Sequence, residues 1–147
     1  MNNLISQLLT TKAGWGALIL RVPVGLILAA HGAQKLFGWF GGYGLEATGQ
    51  WMASIGLVPG LLMAFLAGAA EFFGGLALAL GLLTRPAALV NAVAMAVATF
   101  VVHLENGLFM SNNGYEYALV LLAASLALMI AGGGKLSVDR VISKRMA

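Results

Sequence analysis

Apolar residues fill four long stretches of the chain, and the polar positions between them mark where each stretch ends. The first runs from Ala13 to about Leu36, broken by Arg21 and Pro23. The second is Gly60–Leu83, broken by Glu71; the third is Ala87–His103 and the fourth Tyr115–Gly132. A helix that crosses a bilayer needs ~20 mostly apolar residues. The pattern therefore predicts an all-α, integral membrane, antiparallel four-helix bundle with spans at about 13–36, 60–83, 87–103 and 115–132. Pro59 suits the first position of a helix, where its missing N–H costs nothing. Thr84-Arg85-Pro86 leaves room only for a tight turn, so the second and third spans should form a hairpin. Gly132-Gly133-Gly134 ends the fourth. The stretch after Arg21, ending near Ala29-Ala30, has the length of a cleavable leader, but the expectation is an uncleaved span.

Shorter periodic segments flank these spans. Asn2–Thr11 carries Leu4, Ile5, Leu8 and Leu9 on one side. Val138–Ala147 carries Val138, Val141, Ile142 and Met146, with Arg140, Lys144 and Arg145 opposite. Both read as amphipathic helices lying on the membrane surface, and Ser137 is a candidate cap for the second. The glycine-rich loop Gly38–Leu57 has room for one more short helix, Glu46–Ile55, carrying Trp51 and Met52. No internal repeat is visible, and residues 1–147 read as a single domain.

Composition sharpens this reading. The hydrophobic fraction is 61% and the charged fraction 9%, against about 25% charged in an average soluble domain. A disordered chain, a nucleic-acid-binding basic domain and an ordinary water-soluble enzyme are all excluded. Cysteine is absent, which removes disulfides, zinc–thiolate sites and iron–sulfur clusters. Four spans place both termini on one side. That side holds Lys12, Arg85, Lys135, Arg140, Lys144 and Arg145 against Asp139; the other holds Lys35 with Glu46, Glu105 and Glu116. Basic residues mark the cytoplasmic face, so both termini are expected in the cytoplasm. The basic excess then reflects topology and anionic lipid, with no nucleic-acid partner.

Two charges fall inside spans. An ionised side chain at mid-bilayer costs at least ~2.5 kcal/mol, so it faces the bundle and finds a partner. The expectation is an intramembrane ion pair between Arg21 and Glu71, either structural or as a midplane proton or anion site. Small-xxx-small pairs around Glu71 (Ala64/Gly68, Ala70/Gly74, Gly75/Ala79) allow close helix approach.

At the opposite end from the termini, topology gathers His31, Lys35, His103, Glu105 and Glu116 at one level, with Gln34, Gln50, Asn106, Asn112, Tyr115 and Tyr117 nearby. His31, Lys35, His103 and Glu116 are candidates for binding a polar head group or relaying protons. Simpler roles compete: Asn113 and Glu116 fit a capping box, and Trp15, Trp39 and Trp51 fit an interfacial aromatic belt. No HxxxH or HxxE ligand pair exists, so no metal is expected.

These residues also carry a resemblance. Arg21-x-x-x-Gly25 followed by His31-Gly32-x-x-Lys35-Leu36 resembles the opening signature of the DoxX family of small bacterial membrane proteins. Glu71-Phe72-Phe73-Gly74-Gly75 with Gly81 and Arg85, Met95 with His103, Gly114-Tyr115-Glu116, and Gly134-Lys135-Leu136-Ser137-Val138-Asp139 resemble its later segments in order. The match runs from about residue 14 to 140. It implies a multi-pass protein of the bacterial inner membrane and a redox-associated, quinone-linked oxidoreductase-type subunit. Whether the chain itself is catalytic stays open. On this reading an amphiphilic ligand, with a quinone as the candidate cofactor, binds near the outer membrane face. Alternatives are a small transporter or channel gated by Arg21–Glu71, and a noncatalytic scaffold for a partner enzyme. The lipid bilayer is the expected partner, with a soluble redox enzyme and a homo-oligomer as further candidates.

Overall fold

The computed structural model describes residues 2–146, which contain helices and no strand. The helices are α1 (Asn2–Leu9), α2 (Trp15–Phe37), α3 (Gly44–Ser54), α4 (Gly60–Leu80), α5 (Thr84–Val97), α6 (Glu116–Ala131) and α7 (Val138–Met146). The short helix expected from Glu46 is α3, with Met52 buried and Trp51 exposed. The helix expected over Val138–Ala147 is α7; residue 147 lies outside the described residues.

Glycine sets the ends of α2 and α4. Gly38 and Gly81 sit at φ 71° and 67°, the left-handed conformation that a side chain disfavours and a helix C-terminus uses. Pro23 lies inside α2, where it removes the N–H that would bond the carbonyl of Ile19. Helix α5 continues through a π turn, Ala98–His103, and a single 3-10 turn, Leu104–Asn106.

Three helical segments are long and apolar enough to cross a membrane: Trp15–Phe37, Gly60–Leu80 and Thr84–Asn106. The fourth expected span, α6, has 16 residues, or about 24 Å at 1.5 Å per residue. The long helices pack in a ring. Helix α2 lies most extensively on α4, α4 on α5, α5 on α6, and α6 touches α2 over a smaller area. Helix α3 covers the start of α4, and α1 meets α7, so both termini share one end.

The α2–α4 seam is built from glycine. A Cβ at Gly25 would fall 2.5 Å from the carbonyl oxygen of Gly75, and one at Gly32 2.7 Å from that of Gly68. The two backbones are therefore in direct contact along some two turns, the small-residue packing that membrane helices favour. Inside the ring, Val24, Leu28, Leu78, Ala88, Met95, Leu121 and Leu128 form the core. Outside it, Ile19, Phe73, Val120 and Ile130 are each 60–73% exposed. An apolar exterior around an interior that buries Arg21 and Glu71 is the arrangement of an all-α protein whose solvent is lipid.

Candidate functional site

The antiparallel α2–α4 register decides which charges meet. Gly25 faces Gly75 and Gly32 faces Gly68, so Lys35 arrives beside Glu71 while Arg21 arrives at the C-terminus of α4. Lys35 Nζ lies 2.6 Å from Glu71 Oε2, with side-chain exposures of 25% and 4%. Gly68 makes this possible: its missing side chain leaves room for the stem of Lys35 and for Leu36.

The expected Arg21–Glu71 pair does not form. Arg21 reaches the carbonyl of Leu78, seven residues and about 10 Å of helix rise beyond Glu71. Its guanidinium is spent on carbonyl oxygens. Nε donates to Gly133 at 2.9 Å, one terminal nitrogen to Leu78 and Ala79, and the other to Leu136 at 2.8 Å and Lys135 at 3.4 Å. Leu78 and Ala79 belong to the last turn of α4, whose carbonyls lack the regular partner four residues on and carry the negative end of the helix dipole. A buried arginine is thus a helix cap, and it ties α4 to the loop 133–136. The midplane gate postulated for a channel loses one of its two members.

The same device recurs around this end. Arg85 donates to the carbonyls of Met129 and Ile130 at the end of α6, at 2.8 and 2.6 Å. Asp139 accepts from the backbone N–H groups of Leu83 and Thr84, at 2.7 and 2.8 Å, and so caps the start of α5. Ser137 Oγ accepts from the Arg140 N–H at 3.2 Å, the expected cap of α7. Asp139 is 1% exposed. In the sequence it reads as one surface acid among basic neighbours; only its place two residues after Ser137, in a segment that folds back, gives it this role.

At the other end, His31 stands one turn before Lys35 on α2, with its ring 5.7 Å from that of Tyr117 on α6. The four side chains Lys35, Glu71, His31 and Tyr117 thus come from α2, α4 and α6 and face the bundle at one level. Phe37, Trp39 and Phe72 pack edge-on or tilted beside them, with centroids 4.9–6.4 Å apart. The α5 wall at this level is the π turn. There Thr99 Oγ1 donates to the Met95 carbonyl at 2.7 Å, a local bond that competes with the regular helix ladder.

Two other candidates are engaged in the loop between α5 and α6. His103 Nδ1 donates to the carbonyl of Asn113 at 2.8 Å, and Asn106 donates to the same oxygen. Glu116 Oε1 accepts from the Met110 N–H at 2.7 Å. The capping box with Asn113 is not the arrangement seen, because Asn113 takes up a left-handed conformation, φ 59°, before α6 begins. His103 and Glu116 shape this loop. Among the described residues no group of three or more His, Cys, Asp or Glu side chains is arranged to hold a metal ion.

The DoxX family model matches residues 16–104, from the start of α2 to the end of the π turn. The chain belongs to the DoxX family. Among DoxX-type relatives, a Bacillus subtilis protein named "Putative oxidoreductase CatD" is 35% identical over 129 residues, 88% of each chain. The "Inner membrane protein YqjF" of Escherichia coli is 31% identical over 130 residues, 88% of this chain and 94% of the relative. An uncharacterized membrane protein of Mycobacterium tuberculosis is 30% identical, covering 95% of this chain and 88% of its own. No solved structure matches significantly. The geometry sorts the polar residues into two sets: Arg21, Arg85 and Asp139 at the terminal end, and His31, Lys35 and Glu71 at the other.

Proposed function

We propose that this DoxX protein is a multi-pass protein of the bacterial inner membrane, with both termini cytoplasmic and α6 as a fourth span. In it the His31/Lys35/Glu71/Tyr117 cluster binds the polar head of an amphiphilic, quinone-type ligand. The observation that carries the reading is the Lys35–Glu71 pair, with Glu71 enclosed and Lys35 partly exposed, one helical turn from the His31–Tyr117 contact. Intramembrane ionisable groups by default mark functional sites. Here a cation paired with a carboxylate stands one helical turn along α2 from an imidazole that contacts a phenol.

These residues suit a quinone head. Its two carbonyl oxygens need hydrogen-bond donors, and Lys35 Nζ, a His31 ring nitrogen and the Tyr117 hydroxyl supply them. The ring needs apolar or aromatic neighbours, and Phe37 and Phe72, close in sequence to Lys35 and Glu71, pack on one another and on Trp39. When bound, a quinone supplies two-electron, two-proton redox chemistry. The chain's own part is to orient the head, to exclude water through the surrounding helices, and to hold a proton at His31 or Glu71. Electrons come from a partner or a bound cofactor. The oxidoreductase name of the Bacillus relative supports a redox setting. The excess of Lys and Arg at the terminal end supports the cytoplasmic orientation. The same basic face suits docking of a soluble redox enzyme.

Titration of the purified full-length protein in nanodiscs with a short-tailed quinone, read by tryptophan quenching, tests the proposal. Saturable binding should weaken at least ~tenfold in His31→Ala and Glu71→Gln, the scale of losing a hydrogen bond to a charged group, and change little in Glu116→Gln. Absence of saturable binding, or equal binding by all variants, overturns it. A C-terminal reporter active only outside the cytoplasm overturns the orientation.

A further inference from the structure

At the terminal end, a groove of about 440 Å³ opens between α1, the start of α5 and the end of α6. Its polar lining is Ser6, Gln7, Thr10, Lys12 and Arg85. It contains two cations and no acid. Arg85 is anchored entirely by carbonyls, from Met129, Ile130 and Thr10, which position its charge without neutralising it. Lys12 is exposed. Among the described residues the one ion pair is Lys35–Glu71, at the far end, so neither cation of the groove is offset by a carboxylate.

Beyond the groove, the outward faces of α5 and α6 are apolar. From Arg85, one- and two-turn steps along α5 reach Leu89 and Val93, and one turn back along α6 from Ile130 reaches Leu126. These four are 50%, 58%, 73% and 41% exposed, in the order Leu89, Val93, Ile130, Leu126. Since α5 and α6 pack side by side, they border an apolar seam that starts beneath the two cations. A polar, cationic mouth over an apolar face matches one chemical class: a phosphate-bearing head group with acyl chains.

We propose that this groove is a binding site for an anionic phospholipid, with the phosphate held by Lys12 and Arg85, the hydroxyl of Ser6 beside it, and an acyl chain lying along the α5–α6 seam. Helix α1 forms one wall of the mouth. Its exposed Leu4 and Ile5 place it at the head-group level, where an amphipathic helix rests. The lipid then adds a bridge between α1 and the spanning helices beside the packing of α1 on α5.

The test uses the full-length protein in nanodiscs of phosphatidylcholine, with and without phosphatidylglycerol. Bound lipid is counted by native mass spectrometry and stability followed by thermal unfolding. Wild type should retain phosphatidylglycerol in preference to phosphatidylcholine and unfold at a higher temperature in its presence. Lys12→Glu, at an exposed position, should weaken that retention roughly tenfold by reversing a charge at an anionic surface. Lys144→Glu on α7, the same change elsewhere at the terminal end, should leave it within twofold. Inorganic phosphate added to phosphatidylcholine discs should not stabilise the protein. Equal retention of both lipids, or an equal loss in both variants, overturns the groove as a lipid site. Stabilisation by inorganic phosphate matching that by phosphatidylglycerol overturns the lipid as its occupant.

Discussion

Lys35 and Glu71, 36 residues apart in the chain, meet at 2.6 Å because Gly68 and Gly75, on either side of Glu71, bring α4 into backbone contact with α2. Their burial is unequal: Glu71 is enclosed, whereas a quarter of the Lys35 side chain is exposed. Removing either partner has different consequences. Lys35→Met strands a carboxylate in the bundle and should cost about 3 kcal/mol. Glu71→Gln leaves an ammonium that can extend toward the interface, and should cost less. Denaturant unfolding in micelles of the two single variants and of the double variant measures this. A larger loss for Glu71→Gln than for Lys35→Met would contradict the asymmetry.

A double-mutant cycle separates this pair from the more obvious one. Coupling between positions 35 and 71 should be on the order of 1–3 kcal/mol, and between 21 and 71 within about 0.5 kcal/mol, the range of independent sites. Arg21 instead binds five carbonyls in α4 and the 133–136 loop. Arg21→Lys keeps the charge but loses the planar fork. It should loosen that loop, seen as faster proteolysis around residues 133–136 in the intact protein. Unchanged cleavage would argue against Arg21 as the clamp.

Helices α2 and α4, the α4–α5 hairpin, α3 and both terminal helices were legible in the sequence, because runs of apolar residues are local signals; the turn was displaced, since α4 stops at Leu80 before Gly81 and Thr84-Arg85-Pro86 opens α5 instead of forming the turn. The polar residues at the cluster were legible too, since any charge in an apolar span stands out. Their partners were not. Counting residues from each span's end placed Arg21 and Glu71 within reach of each other; the true register follows from which glycines face which, a pairwise property that no single segment encodes. The roles of Arg85 and Asp139 were hidden for a related reason. Each caps a helix other than its own, so nothing within reading distance in the chain reveals the bond. His103 and Glu116 stood out by type alone, and the loop geometry that occupies them depends on left-handed turns at Gly107 and Asn113.

Glycine substitutions test the seam. Gly32→Ala drives a methyl group against the Gly68 carbonyl, 2.7 Å away, and should destabilise by about 1–3 kcal/mol, as overpacking does. Gly16→Ala, in the same helix with nothing within 4 Å, should be neutral or slightly stabilising, since alanine favours the helix. Thermal unfolding in matched detergent distinguishes them; similar shifts for both would discount the seam.

Asp139→Ala removes the cap on α5 and should cost about 1–2 kcal/mol. The effect should be local first. Amide exchange at Leu83 and Thr84, the two donors to its carboxylate, should accelerate, while amides in the middle of α4 keep their protection. Protection unchanged at both donors would show that the cap contributes nothing in solution.

Backbone contact along α2 and α4 has a mechanical consequence. Two rods touching through glycine cannot slide or part by small side-chain adjustments, so they act as one stiff plank. Helix α6 meets that plank over a small area and brings Tyr117 to it. Any breathing that admits a guest between His31 and Tyr117 is therefore assigned to α6. The π turn in α5 offers the adjoining wall a place to yield, so the moving part of this protein is its C-terminal half.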